Sequence, residues 1–290
     1  MQKIIVTGAG GQLGRELQIL ANSFPPRDFG FDFVFADRRQ LPIENQDQVN
    51  AFFKEHRPAF CINCAAYTAV DKAESEKEAA FRINGDAPGY LAKACRYTGA
   101  RLIHISTDYV FDGSSATPLK EDDSTAPINI YGASKLEGEK QALQAHPDGA
   151  LVIRTSWVYS EFGNNFVKTM IRLMTERPAI NVVNDQIGSP TYAADLATAI
   201  FHIITAPHFV PGIYNYSNEG EISWYEFALA IHQLIGSNCT VSPIASANYP
   251  TPARRPHYSL LDKSLIKKTY GLPIPDWFTS LRTCISRLHH

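Results

Sequence analysis

A tyrosine and a lysine four residues apart, Tyr131 and Lys135, are the first candidates for catalysis in this chain. On an α-helix, residues at this spacing lie one turn apart on the same face. There the ammonium could stabilise the phenolate of a tyrosine, whose ordinary pKa is about 10, so that the phenol could exchange a proton near neutral pH. Both residue types are common on solvated helix faces, so the pair alone indicates catalysis only weakly.

A glycine-rich turn near the start of the chain could bind the phosphates of a nucleotide. It reads Thr7-Gly-Ala-Gly-Gly-Gln-Leu-Gly14, follows an apolar run predicted as a buried strand, Lys3 to Thr7, and precedes leucines at helical spacing. Gly8 would allow the tight turn, and Gly10 and Gly11 would let a pyrophosphate approach the N–H groups at the helix N-terminus. An ordinary flexible turn is the alternative, but the position between strand and helix favours nucleotide binding.

The choice of dinucleotide depends on residues that follow the second predicted strand, Phe31 to Ala36. The carboxylate of Asp37 could accept the hydroxyls of the adenosine ribose, which favours NAD. Arg38 and Arg39 follow directly, and an arginine there could pair with the 2′-phosphate of NADP. The two arginines could equally belong to a solvated loop. The cofactor prediction is therefore NADPH or NADH, with the preference left open.

A hydroxyl is predicted at the edge of the sheet where ligands bind. Ser106, Thr107 and Asp108 follow a strand pattern that begins at Arg101. In open parallel sheets ligands bind beyond the carboxyl ends of the strands. The Thr107 hydroxyl could hydrogen-bond a substrate carbonyl and orient the Tyr131 phenol. A hydroxyl that caps a loop is the alternative.

Strands that alternate with helical patterns predict an α/β fold, namely a Rossmann-type doubly wound parallel sheet with a smaller C-terminal substrate-binding lobe. We expect residues 1–155 to form the dinucleotide-binding domain, rejoined by about 180–205, and residues 156–290 to form mainly the substrate lobe. Further strands are predicted at Phe60 to Ala65, Arg101 to Ser106, Ala150 to Thr155, Ile180 to Val183 and Tyr214 to Ser217.

Helical patterns fill the intervals between these strands. The longest runs from Glu74 to Thr98, with a break or kink expected at Pro88. The helix with Tyr131 and Lys135 lies within residues 127–145. Later helices are predicted at Val49 to Glu55 (before Pro58), Phe166 to Glu176, Thr191 to Thr205 and Ser223 to Ile235, the last with a Ser223–Glu226 capping box. Residues Pro243 to Pro256 are predicted to form a loop.

Composition limits the classes of function. The net charge is −2, so no nucleic-acid surface is expected. No apolar run approaches ~18 residues, and the strand pattern that begins at once leaves no signal peptide, so we expect a cytoplasmic protein without a membrane span. Cys61 and Cys64 form a CxxC, but residues three apart in a strand point to opposite faces, so we expect reduced thiols rather than a disulfide or a metal site.

Taken together, the glycine turn, the strand-end hydroxyl and the YxxxK pair resemble the extended short-chain dehydrogenase/reductase family, in that family's order. Longer motifs resemble the branch of dTDP-4-dehydrorhamnose reductases over nearly the whole chain. These motifs are Asn63-Cys-Ala-Ala-Tyr-Thr-Ala-Val-Asp-Lys-Ala-Glu74, Ser106-Thr-Asp-Tyr-Val-Phe-Asp-Gly113, Tyr131-Gly-Ala-Ser-Lys-Leu-Glu-Gly-Glu139, Arg154-Thr-Ser-Trp-Val-Tyr159, Gly163-Asn-Asn-Phe-Val-Lys-Thr-Met170, Asn184-Asp-Gln-Ile-Gly-Ser-Pro-Thr191 and Tyr249-Pro-Thr-Pro-Ala-Arg-Arg-Pro256.

The resemblance implies the reduction of dTDP-4-dehydro-L-rhamnose to dTDP-L-rhamnose, by transfer of a hydride from NAD(P)H to C4. It implies that Tyr131 donates the proton, that Lys135 lowers the Tyr131 pKa and holds the nicotinamide ribose, and that Thr107 binds the carbonyl oxygen. Asp108 and Trp157 would contact the sugar, although Trp157 could instead be a core aromatic. Cofactor contacts are implied for Gly8, Gly10, Gly11, Gln12, Leu13, Asp37, Arg38, Ala65, Ala66 and Tyr67.

The nucleotide half of the substrate is assigned by the same resemblance. Asn184, Asp185 and Gln186 are implied as its contacts, and Arg255 could pair with the diphosphate bidentately. A surface ion pair is the alternative for Arg255.

Differences from related families narrow the reaction. The related dTDP-glucose dehydratases carry an Asp-Glu pair after the strand-end threonine, whereas Tyr109 follows Asp108 here, which favours plain reduction. A 4-epimerase, or another sugar-nucleotide reductase, is the nearest enzymatic rival. A non-catalytic NADP-binding subunit, like the beta subunit of methionine adenosyltransferase, is the rival from another class.

Some members of the reductase family form dimers around Mg²⁺ bound by glutamates. Glu16 matches the first of these, but Ala194 occupies the place of the second, and the C-terminal residues 286–290 include no acid. We therefore predict no metal site and a monomer or a metal-free homodimer, with the need for Mg²⁺ left open.

Overall fold

The structure is a computed structural model that describes residues 1–23 and 30–288. Its largest sheet has six parallel strands. These strands are β1 (Gln2–Thr7), β2 (Phe31–Ala36), β3 (Phe60–Asn63), β4 (Arg101–Thr107), β5 (Ala150–Thr155) and β10 (Gly212–Asn215). Their order across the sheet is β10-β5-β4-β3-β1-β2, so the winding reverses direction beside β1. Such a switch point opens a crevice at the carboxyl ends of the strands.

Successive residues of each strand point to opposite faces of the sheet, and both sets are apolar. Helices therefore cover both faces. On β1, Ile4 and Val6 pack on one face and Ile5 on the other. The first face is covered by α1 (Gln12–Asn22), α8 (Ala193–Thr205) and α10 (Ser264–Tyr270). The second is covered by α2 (Gln46–His56), α5 (Ala87–Thr98) and α6 (Ile130–Ala145). The predicted α/β fold is confirmed.

The long helix predicted from Glu74 is interrupted earlier than expected. A short helix, α3 (Val70–Ala73), precedes the predicted span. The span itself contains α4 (Lys77–Phe81), a π-helical turn (Arg82–Asp86) and α5, with Pro88 in the first turn of α5. Pro88 has no N–H with which to bond the carbonyl of Asn84, and the wider turn accommodates this gap. The break therefore lies before the proline rather than at it.

The Asn84 carbonyl approaches α6 at Gly138, where a Cβ would lie 2.0 Å from the oxygen. A glycine is thus required at this helix contact.

A second core forms the C-terminal lobe. It lies among α7 (Phe166–Glu176), α9 (Trp224–Ile235) and α11 (Trp277–Leu288) and includes Val167, Phe227 and Leu281. Three two-stranded sheets border it, formed by β6 (Val158–Tyr159) with β9 (Thr191–Tyr192), β7 (Ala179–Val183) with β12 (Thr240–Ile244), and β8 (Ile187–Gly188) with β11 (Ile222–Ser223). The chain returns to the large sheet through α8 and β10. The division into two domains at residue 155 stays a prediction.

Two local predictions in the lobe were wrong and one is confirmed. Thr191 and Tyr192 form β9 rather than the first turn of a helix, and Pro243, placed in a loop, pairs with Val182 in a two-stranded sheet. Proline is tolerated there because each strand of such a sheet is an edge. The capping box of Ser223 with Glu226 is present.

The predictions about the cysteines and about membrane spans can also be compared with the structure. Cys61 lies in β3 and Cys64 one residue beyond its end, and both are free thiols. Over residues 1–23 and 30–288, no helix combines the length and apolar character needed to cross a membrane.

Candidate active site

A cleft of about 940 Å³ opens at the carboxyl edge of the large sheet and is bordered by the C-terminal lobe. The loops after β1, β3 and β4 line one side, with the first turns of α6, and residues from α7, α9 and the segment after β5 line the other. This is the edge where the switch point of the sheet predicts a ligand.

The glycine turn lies at the floor of the cleft. Gly8 has φ +66°, and a Cβ there would lie 2.6 Å from the backbone nitrogen of Ala65. A Cβ on Gly14 would lie 2.5 Å from the Gly8 carbonyl, so this glycine is needed within the turn itself. A Cβ on Gly10 would meet nothing within 4 Å, because this glycine faces open space. Gly10 and Gly11 line the cleft, together with Gln12 and Leu13 from the start of α1.

The loop after β2 forms one end of the cleft. One carboxylate oxygen of Asp37 accepts the backbone N–H of Arg39 and of Gln40, at 2.8 and 3.0 Å, which shapes the loop. The Arg38 guanidinium pairs with Glu44 at 2.7 Å, and both residues line the cleft with Asp37. Arg39 is not among the cleft residues.

Thr107 and Tyr131 meet where β4 and α6 converge. The Asn129 side chain caps α6 by accepting the N–H of Gly132 at 2.7 Å. Gly132 is needed because a Cβ there would lie 2.1 Å from the Tyr109 carbonyl. Burial raises the Tyr131 pKa to about 12, and a hydrogen bond with Thr107 acts in the opposite direction. The phenol therefore holds its proton at neutral pH.

Asp108 follows Thr107 and is buried beside it. The Thr107 hydroxyl donates to Asp108 Oδ1 at 3.0 Å. Burial raises the Asp108 pKa to about 6, although hydrogen bonds from Ser259 and Thr107 favour the carboxylate. Asp108 is thus a carboxyl group that can exchange a proton near neutral pH, on the wall of the cleft.

Lys135 lies on the cleft one turn after Tyr131 and is 1% exposed. Its Nζ donates to the Ile105 carbonyl at 2.5 Å. Burial lowers the Lys135 pKa to about 8, and the charge of Glu139 partly offsets this. In this structure burial is the main influence on the Tyr131 pKa, and the Lys135 ammonium donates to the strand carbonyl. The lowering of the Tyr131 pKa by Lys135 stays a prediction.

Behind these residues lies a buried polar layer that the sequence interpretation missed. Glu139 binds the Arg154 guanidinium at 2.8 Å, and both side chains are 2% exposed. The Ser106 hydroxyl donates to the same carboxylate at 2.5 Å. All three lie within the motifs quoted above, but neither their types nor their spacing reveals that they meet.

Aromatic rings form the wall on the lobe side. Trp157 stacks on Trp224 with ring centroids 3.7 Å apart, and Phe166 packs against Trp224. The backbone of Trp157 has φ 48°, a left-handed conformation that is rare for a bulky residue and typical of functional sites. The sequence interpretation included Trp157 but missed Trp224 and Phe166, for which no local signal exists.

Five predicted contacts lie away from the cleft lining, namely Tyr67, Asn184, Asp185, Gln186 and Arg255. The Tyr67 hydroxyl donates to Glu76, although Ala65 and Ala66 do line the cleft. Arg255 makes a two-bond pair with Asp71, at 2.9 and 3.1 Å. Asn184 is exposed, and Gln186 donates to Ser246 at 2.9 Å.

Glu16, the candidate metal ligand, lies on the buried face of α1. It accepts the Ser160 hydroxyl at 2.7 Å. Burial and a hydrogen bond with Glu161 raise its pKa to about 8. Among residues 1–23 and 30–288, no three His, Cys, Asp or Glu side chains are grouped so that they could hold a metal ion. His289 and His290, part of the acid-free C-terminal segment, lie outside the described residues.

Comparison with known proteins places this site in a family. Residues 1–290 match the family described as RmlD substrate binding domain. The chain belongs to this family. A dTDP-4-dehydrorhamnose reductase of Aggregatibacter actinomycetemcomitans is 40% identical over 293 residues, covering 97% of this chain and 98% of that protein.

Solved structures of two RmlD relatives have the same architecture. A dTDP-4-dehydrorhamnose reductase of Clostridium acetobutylicum has a TM-score of 0.94 at 40% identity, over all of both chains. One from Bacillus anthracis, in complex with NADP, has a TM-score of 0.93 at 41% identity, over 99% of this chain and all of that one. The resemblance inferred from the motifs is confirmed, and this chain is an NAD(P)H-dependent oxidoreductase.

Proposed function

We propose that the protein reduces the C4 ketone of dTDP-4-dehydro-L-rhamnose to give dTDP-L-rhamnose. The observation that carries this proposal is the meeting of Thr107 and Tyr131, with Lys135 one turn away, on one wall of a cleft that begins at a glycine turn. A hydroxyl, a protonated phenol and a buried ammonium together suit the reduction of a carbonyl group.

The cleft fits a nicotinamide dinucleotide. The open space beside Gly10 and the start of α1 suit the pyrophosphate. Asp37 and Arg38 would hold the adenosine ribose, and Lys135 the nicotinamide ribose. When bound, the dinucleotide supplies the hydride that is added to C4. NADPH and NADH both remain open, and Arg38 is the residue that would favour NADPH.

Tyr131 would donate the proton. Its pKa of about 12 keeps the phenol protonated at neutral pH, which reduction requires of a donor. As C4 gains a hydride, its oxygen becomes an alkoxide and takes the phenol proton, and the Lys135 ammonium then stabilises the phenolate that remains. The Thr107 hydroxyl would orient the carbonyl oxygen toward Tyr131.

The sugar would bind between the two walls, with Asp108 on one side and the ring of Trp157 on the other. Asn184, Gln186 and Arg255 remain candidates for the nucleotide half, near the rim. Because Arg255 is paired with Asp71 in this structure, a contact with the diphosphate would require that pair to open or to share its guanidinium. We also propose a cytoplasmic protein that is a monomer or a metal-free homodimer.

The deciding experiment is the oxidation of NADPH and of NADH, in parallel, with the 4-keto sugar nucleotide as substrate. We expect turnover and a product with the stereochemistry of L-rhamnose at C4. A C4 epimer of that product would indicate another sugar-nucleotide reductase. Tight NADP binding without turnover would favour the regulatory subunit.

The role of Tyr131 is tested by Tyr131→Phe, which removes only the phenolic oxygen. We expect kcat to fall at least ~10²-fold while cofactor binding is retained, the usual size of a general-acid effect. The control is Tyr97→Phe, since Tyr97 is 82% exposed and far from the cleft lining. Near-normal turnover by Tyr131→Phe would exclude it as the proton donor.

A further inference from the structure

A buried carboxylate lies one helical turn beyond Lys135. Glu139 is on the same face of α6 as Tyr131 and Lys135, since the three follow at intervals of four. It is 1% exposed, and Arg154 of β5 binds both of its oxygens, at 2.8 to 3.3 Å. The Arg154 guanidinium also donates to the Glu121 carbonyl at 3.1 Å and lies over the Phe111 ring. Each of the three guanidinium nitrogens of Arg154 therefore has an acceptor.

The same carboxylate is attached to the catalytic end of β4. Ser106, which donates to Glu139 Oε1 at 2.5 Å, lies between Ile105 and Thr107. The Ile105 carbonyl accepts Lys135, and the Thr107 hydroxyl bonds Tyr131. Through Ser106, Glu139 therefore connects α6 to the strand segment that sets the position of the hydroxyl and the ammonium.

Titratable groups face Lys135 from each element around it. Tyr131 and Glu139 belong to its own helix, His104 reaches it from β4, and Cys64 from the end of β3. Burial raises the pKa of Cys64 and of Tyr131 and lowers that of His104, so these three are neutral at pH 7. Glu139 supplies the opposing charge, and Arg154 in β5 is its ion-pair partner.

We propose that Glu139 is a positioning residue, which fixes α6 against β4 and β5 through Ser106 and Arg154, and whose negative charge acts on the Lys135 ammonium from the next turn of the helix. The catalytic consequence rests on the proposed function. The effect on Lys135 itself does not, because its protonation can be measured without substrate.

Glu139→Gln tests the charge with little change in shape. Without the carboxylate, burial and the Arg154 guanidinium both disfavour the ammonium, so Lys135 should lose its proton at lower pH. We expect the alkaline limb of the kcat–pH profile to move down by about one pH unit. The midpoint for labelling of Lys135 by acetic anhydride, followed by mass spectrometry, should move in the same direction. KM for the sugar nucleotide should change less than about twofold.

Two further variants separate charge from structure. Glu137→Gln is the matched control, because Glu137 lies on the same helix and bonds Gln141 rather than the catalytic strand; it should move neither midpoint. Ser106→Ala removes the link to β4 but no charge, so it should lower kcat several-fold and leave both midpoints in place.

A variant that removes the charges of both Glu139 and Arg154 keeps the test possible if the single variant does not fold. If Glu139→Gln alone does not fold, Glu139→Gln with Arg154→Gln avoids an unpaired buried cation. Its Lys135 labelling midpoint should lie below that of the wild type.

An unchanged labelling midpoint in every folded variant that lacks Glu139 would overturn the proposal. If the labelling midpoint shifts but the wild type reduces no 4-keto sugar nucleotide, the electrostatic role stands and the proposed function fails.

Discussion

The two walls of the cleft are held in place by different physics. On the sheet side, Thr107 and Lys135 are backed by a fully buried ion pair with matched hydrogen bonds. On the lobe side, Trp157 is held by stacking on Trp224 and by an unusual backbone conformation.

This difference indicates that the two walls have different roles in catalysis. A buried ion pair tolerates almost no displacement, because either charge left alone is strongly destabilised. Stacked rings can slide or tilt at a cost of about 1 kcal/mol. We therefore expect the sheet side to determine the rate of the chemical step and the lobe side to determine substrate affinity. Each prediction below tests one part of this comparison.

The largest effect is expected from Arg154→Met, which leaves the Glu139 charge buried without its partner. We expect the free energy of unfolding to fall by about 3 kcal/mol or more. Urea denaturation measures this, and Arg172→Met is the control, because the Arg172–Glu176 pair is exposed and should contribute under ~0.5 kcal/mol. If the two variants lost the same free energy of unfolding, the buried ion pair would contribute no more to stability than an exposed one.

A smaller effect is expected from Trp224→Ala, which removes the ring behind Trp157. We expect KM for the sugar nucleotide to rise about tenfold, with KM for the nicotinamide cofactor nearly unchanged, because only the lobe wall is loosened. Steady-state kinetics with each reactant varied in turn measures this. Leu229→Ala on the same helix is the control, since Leu229 is exposed. A fall in kcat alone would show that the lobe wall acts on the chemical step.

The smallest effect is expected at the exposed end of the sheet side, where Arg38 pairs with Glu44. Arg38→Ala should reduce the preference for NADPH over NADH, measured as the ratio of kcat/KM values, by about fivefold. Arg39→Ala is the control, because Arg39 lies outside the cleft lining. If Arg38→Ala instead lowers kcat with both cofactors, then even this exposed residue of the sheet side affects the rate of the chemical step.

Much of the sheet side follows from local patterns in the sequence. Buried strands, the glycine turn and the Tyr131–Lys135 spacing each depend on residues close together in the chain, and the carboxyl edge of a parallel sheet brings them together. The limits of β2 and β5 were predicted to the residue, and the alternation of strands with helices predicted the parallel sheet.

The lobe side could be predicted less well because its contacts join distant segments. Nothing near Trp224 indicates that it stacks on a tryptophan 67 positions earlier. The same holds for the meeting of Ser106 with Glu139 and Arg154, and for Arg255, whose pairing with Asp71 spans 184 positions. Short strands such as β9 also cannot be predicted from hydrophobic periodicity, because two residues are too few to show an alternating pattern.

The π-helical turn at Arg82–Asp86 bears on how this protein can change in length. Such a turn contains one residue more than an α-helical turn. Deletion of one residue there would convert it to an α-helical turn, so α5 would keep its rotation about the helix axis. Leu91 and Cys95, now fully buried against the sheet, would still face it. The loss of a single codon in this stretch should therefore be less harmful than the same loss inside α5, where it would rotate the residues beyond it by about 100°.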